Sequence, residues 1–185
     1  MSLPGGTVKL LFTDIEGSTR LLDELGAAYT DARAEHRRRI RDAVALHGGV
    51  EVDTQGDAFL CVFRSAREAV LAATAAQTAL AETPVRVRKG IHTGEPTLTD
   101  EGYVGLDVHR GARICAAAHG AQIMVSSITR ELLDGIPFWL TLLDKWFTHA
   151  HESLPVAEGS VAWEAGRSLS FERAVEEALE PPNAT

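Results

Sequence analysis

Residues 49 to 63 read GVEVDTQGDAFLCVF. Two β-prone runs, Gly49 to Thr54 and Asp57 to Phe63, flank Gln55-Gly56, a pair suited to a tight reversal because glycine accepts backbone angles that a Cβ forbids. The stretch reads as a β-hairpin whose second arm opens at Asp57. Before it, Ile40, Val44 and nearby alanines recur at helical spacing from Tyr29 to His47, among Arg37, Arg38, Arg39 and Arg41, until Gly48 stops the pattern. Earlier still, Val8 to Thr13 is an apolar run between Gly5-Gly6 and the loop Asp14-Ile15-Glu16-Gly17-Ser18, which predicts a buried strand.

After the hairpin, Ser65 and Glu68 have capping-box spacing and open an alanine-rich helix that ends near Leu80, ahead of Pro84. Val85 to His92 predicts a strand, followed by a Gly- and Thr-rich connection through Gly102 and a helix from Asp107 to Ala118. A strand over Ala121 to Val125 and a helix from Ser127 to Asp134 complete a β-α-β-β-α-β-α-β-α order. Strand pairs joined by helices on one side predict an α+β fold of ferredoxin-like topology, an antiparallel-rich sheet covered by helices. Composition shifts after residue 135: all three tryptophans lie beyond it, so residues 7 to 135 form the main domain and 136 to 185 a divergent segment with a helix at 171 to 180.

The chain has 185 residues, 45% hydrophobic and 24% charged, enough for one substantial core. A net charge of -8 argues against a nucleic-acid partner, which needs clustered Lys and Arg. Met1 to Gly6 carries no charged leader before an apolar stretch, and no run approaches the roughly 18 to 20 apolar residues of a membrane span, so a cytoplasmic chain without a membrane partner is expected. Cys61 and Cys115 lack metal-ligand spacing and read as small buried thiols.

Asp14 ends a strand and Asp57 opens a hairpin arm, so the two carboxylates can meet, a donor set suited to Mg²⁺ or Mn²⁺. Glu16-Gly17-Ser18-Thr19 leads into a helix and offers backbone N–H groups to phosphate. A simpler reading makes Asp14 a helix cap and Asp57 a turn residue, and spacing alone leaves both readings open.

Leu11 to Thr19 (LFTDIEGST) and Thr54 to Phe59 (TQGDAF) resemble the first and second metal-binding motifs of class III nucleotide cyclases. Gly90 to Glu95, Tyr103 to Gly105, Val108 to Arg113 and Gly120 to Ser126 resemble further blocks of that family in order. The resemblance implies a head-to-tail homodimer with active sites at the interface. It implies that Asp14, Asp57 and the Ile15 carbonyl of one copy hold two metal ions, with His109 and Arg113 supplied by the other. The implied reaction is attack of a ribose 3′-hydroxyl on the α-phosphate of ATP or GTP, with Arg113 as the cation for the phosphate. A second, short resemblance runs from Trp163 to Glu172, which is similar to the end of the helical repeat region in large bacterial regulators carrying a cyclase-like domain.

Three positions depart from the pattern. Asp53 stands where many members have a base-reading Lys, His109 where a ribose-orienting Asn is usual, and Gly102 at the second base-reading position. An acidic side chain accepts hydrogen bonds from guanine N1–H and its amine, so Asp53 favours GTP. It also places a third carboxylate near Asp57. The alternative to an enzyme is a catalytically silent cyclase-like module that binds nucleotide or dimerises within a signalling or transcriptional regulator.

Overall fold

The structure is a computed structural model and describes residues 3 to 133. Seven strands and five helices follow in the order β1 (Val8–Ile15), α1 (Ser18–Leu25), α2 (Tyr29–Leu46), β2 (Val50–Gln55), β3 (Ala58–Phe63), α3 (Ala66–Leu80), β4 (Val87–Gly94), β5 (Thr97–Thr99), β6 (Gly102–Val104), α4 (Leu106–Ala117), β7 (Ile123–Val125) and α5 (Ser127–Glu131). The main sheet has the order β2-β3-β1-β4-β7, with β7 parallel to β4 and the other pairs antiparallel. Its first four strands, with α2 and α3 as connections, make the ferredoxin-like core that the element order predicts.

Alternation along β1 and β4 divides the core between two faces. Leu11, Thr13, Lys89 and Ile91 share one face with Phe59, Cys61 and Phe63 of β3, and this side is covered by α2 and α3. Ala69, Ala72, Ala73 and Ala76 are buried on α3, where their small side chains let the helix lie close to its neighbours. Each large side chain buried here, Phe59, Phe63, Leu11 or Ile91, contributes roughly 1.5 to 3 kcal/mol. Leu10, Phe12, Gly90 and His92 face the other way, toward α4. A Cβ on Gly90 would lie 2.3 Å from the Cys115 backbone nitrogen, and one on Gly111 would lie 2.6 Å from the Phe12 ring. These two glycines let α4 sit directly on the strands, so helices cover both faces and not one.

Several boundaries differ from the sequence reading. Gln55 pairs with Ala58, which makes Gly56 and Asp57 the central residues of the hairpin turn; Gly56, at φ 63°, supplies the left-handed step. Asp57 therefore sits in the turn and does not open the second arm. The Gly- and Thr-rich connection folds as the small β5-β6 hairpin. Strand β4 is shifted along the chain to end at Gly94, because Val8 pairs with Gly94 and draws the full length of β1 into the ladder. Helix α5 covers Ser127–Glu131, shorter than the expected run to Asp134, which is outside the described residues. The segment 136 to 185 and the helix expected at 171 to 180 also lie outside them. Among the described residues no helix is long and apolar enough to cross a membrane.

Candidate active site

Thr13 pairs with Phe59 of β3, and Asp14 is the next residue along β1. Asp57 lies two residues before Phe59, so both carboxylates emerge at the same end of neighbouring strands. Asp57 Oδ2 is buried without a hydrogen-bond partner among the described residues. An ionised oxygen in that position is strongly destabilising unless a donor or a cation meets it, and a hard divalent cation fits the chemistry of this carboxylate pair.

Asp14 is met differently. Arg88 of β4 is its antiparallel partner, and the Arg88 Nε donates to Asp14 Oδ2 at 3.0 Å while Nη2 donates to the same oxygen. The contact raises the Arg88 pKa above its ordinary value, and both side chains are about 30% exposed, at 31% and 28%. Sequence reasoning missed Arg88. Its signal was an arginine alternating with apolar residues inside a strand, but only the register shows what it faces.

Glycine 17 adopts φ 62° and caps α1 with no side-chain hydrogen bond, which removes the reading of Asp14 as a helix cap. Ser18 and Thr19 begin the helix, so the backbone N–H groups of its first turn are not taken by a capping side chain. The loop from Asp14 thus leads into an open helix N-terminus within a few residues.

Asp53, on β2, is held by its own neighbours. Its Oδ1 accepts from Thr54 N at 2.8 Å and its Oδ2 from the Gln55 side-chain amide at 2.9 Å. Among the described residues no group of three or more His, Cys, Asp or Glu side chains is gathered to hold a metal. Gly102 has a backbone reason to be glycine: φ is 117°, and a Cβ would lie 3.3 Å from Val52. His109 and Arg113 are exposed on α4 and make no hydrogen bond or ion pair with the described residues.

Behind the carboxylates the sheet buries unusual polarity. Lys89 is fully buried, donating from Nζ to Gln77 Oε1 and, at 3.2 Å, to the Val87 carbonyl, and burial pulls its ammonium down to about 7. His36 meets Phe59 edge-on, and neither of its ring nitrogens has a partner among the described residues. Burial, helped by the nearby Lys89 and Arg37 charges, pulls His36 down to about 4.

Residues 2 to 154 match the family model of the adenylate and guanylate cyclase catalytic domain. The chain belongs to this family. An uncharacterized Mycobacterium tuberculosis protein is 40% identical to this chain over 135 residues, covering 71% of this chain and 47% of that protein. An adenylate cyclase from Podospora anserina is 34% identical over 155 residues, covering 67% of this chain and 7% of that protein. The chain spans about half the length of the mycobacterial relative and a small part of the fungal one. Among solved structures, a Trypanosoma brucei adenylate cyclase in its monomeric state superposes with a TM-score of 0.62 at 28% identity, covering 72% of this chain and 82% of that one. The α+β sheet and helix arrangement described above is thus the fold of class III cyclase domains.

Proposed function

We propose that the chain is a metal-dependent purine nucleotide cyclase, converting ATP or GTP to the 3′,5′-cyclic monophosphate and pyrophosphate at sites shared by two head-to-tail copies. What supports this reading is that Asp14 and Asp57 lie at the same sheet end, with a buried Asp57 oxygen that no donor among the described residues meets. Both carboxylates, with the Ile15 carbonyl, would hold Mg²⁺ or Mn²⁺ as two ions, whose chemistry is to acidify the ribose 3′-hydroxyl and neutralise charge at the α-phosphate.

The chain's own groups supply the rest. Arg88 competes for Asp14 Oδ2; displaced from it, its guanidinium remains on the same sheet face with donors that match phosphate oxygens. The uncapped first turn of α1 at Gly17, Ser18 and Thr19 offers N–H groups to the triphosphate. His109 and Arg113 lie four residues apart on one exposed helix face, available to a second copy: Arg113 opposite the charge developing on the α-phosphate, His109 beside the ribose. Asp53 accepts from guanine N1–H and its amine, which favours GTP, while Gly102 puts no side chain against the base. The second reading, a silent nucleotide-binding or dimerising module, is favoured by one observation: Asp53 is already engaged by Gln55 and Thr54.

Mixing Asp14→Ala with Arg113→Ala protein tests the shared site. Each variant alone should be nearly inactive, whereas the mixture should regain part of the activity because one composite site per heterodimer is intact. No regain from an active parent chain would refute shared sites.

A further inference from the structure

Helix α2 carries five arginines, and three of them have ordinary carboxylate partners. Arg38 pairs with Glu35 and Asp42, Arg39 with Glu35, and Arg41 with Glu51. Arg33 and Arg37 have none among the described residues. Four residues apart on one helix face, both instead donate to the same backbone oxygen, the Gly56 carbonyl, Arg33 Nη2 at 2.8 Å and Arg37 through its own Nη2. That carbonyl belongs to the peptide joining Gly56 to Asp57.

One guanidinium would satisfy the carbonyl. The second brings two like charges together, and the Nε atoms of both arginines are buried without a partner among the described residues. Turn stability alone does not call for this arrangement, because Gly56 already supplies the left-handed backbone and has open space around it. Fixing the Gly56–Asp57 peptide plane does fix the direction from which the Asp57 side chain leaves the turn. The Oδ2 of that side chain is the buried, unpartnered oxygen of the candidate metal site.

We infer that Arg33 and Arg37 are positioning residues that clamp the hairpin turn and aim Asp57 at the divalent cation. The inference rests on the cyclase reading for the role of Asp57. Its electrostatic sign makes it separable from a charge effect: deleting two nearby cations would by Coulomb's law strengthen divalent cation binding, whereas loosening the clamp weakens it.

The test is Mn²⁺ binding to the full chain without nucleotide, followed by electron paramagnetic resonance, with Asp57→Ala as the control that defines the site. Arg33→Met/Arg37→Met should weaken binding about tenfold while thermal melting stays cooperative. Arg33→Met/Arg37→Lys, which keeps one flexible donor, should recover part of the affinity lost in the double Met variant. In turnover, the double variant should need more Mn²⁺ for half-maximal rate with little loss of kcat at saturating metal. If the double variant does not fold, Arg33→Met and Arg37→Met singly should each show a smaller weakening. Binding unchanged or tighter in folded variants overturns the clamp while leaving the cyclase reading intact. A parent chain that binds no Mn²⁺ through Asp57 overturns both.

Discussion

Arg88 stands directly opposite Asp14 across the antiparallel β1-β4 pair, with its Nε 3.0 Å from Asp14 Oδ2. The residue proposed to hold a metal thus already gives one of its oxygens to a cation. A divalent ion taking Oδ2 must displace Arg88, and the displaced guanidinium is left beside the place where phosphate is proposed to bind.

Replacing Arg88 with Met should therefore separate two effects. Mn²⁺ affinity measured without nucleotide should rise by up to about tenfold, because a competitor is removed. Turnover with nucleotide should fall, because a phosphate-facing cation is lost. A parallel loss of both would show that Arg88 acts only by holding the strands together.

Lys89 gives a pH dependence of known sign. Its pKa is about 7 when folded against 10.5 as the ordinary value, so between these the unfolded chain holds a proton that the native chain lacks. Stability should rise with pH across that window. His36, lowered from 6.5 to about 4, adds a loss of stability as pH falls through that lower window. Urea melts from pH 7 to 10 should show the upper slope, and Lys89→Met should flatten it.

Cys61 and Cys115 are buried thiols whose pKa values burial pushes up to about 12 and about 11. Because the thiolate is the reactive form, neither should react with a thiol reagent at pH 8 until denaturant is added. Rapid labelling of the native chain would show that α2 or α4 opens readily from the sheet.

The hairpin and the strand-helix order were legible because alternation and helical spacing are local signals. The turn was misplaced by one residue because both Gln-Gly and Gly-Asp suit a reversal, and only the Gln55–Ala58 pairing separates them. The side on which α4 packs was not legible. It depends on Gly90 of β4 admitting the Cys115 backbone and on Gly111 of α4 admitting the Phe12 ring, contacts between residues far apart in sequence that nothing local marks. For the site, Asp14 and Asp57 stood out through their motifs, while Arg88 looked like one of two arginines in VRVRKG and its partner emerges only from register.

Gly90→Ala tests the α4 packing. The added methyl would overlap Cys115 backbone atoms, so α4 must shift or the fold must loosen, at a cost of roughly 1 to 3 kcal/mol by analogy with other overpacked sites. Chemical denaturation should show this loss. Full stability in the variant would mean that α4 has slack against β4.

The most direct measurement is cyclic nucleotide formed by the full chain with Mn²⁺ and either GTP or ATP, compared with Asp14→Ala and Asp57→Ala proteins of equal fold. The parent chain should accumulate cyclic product, more from GTP, and both variants should fall to background. Product formed equally well without either carboxylate would contradict the assignment of the metal site, and none from the parent chain would contradict the enzyme.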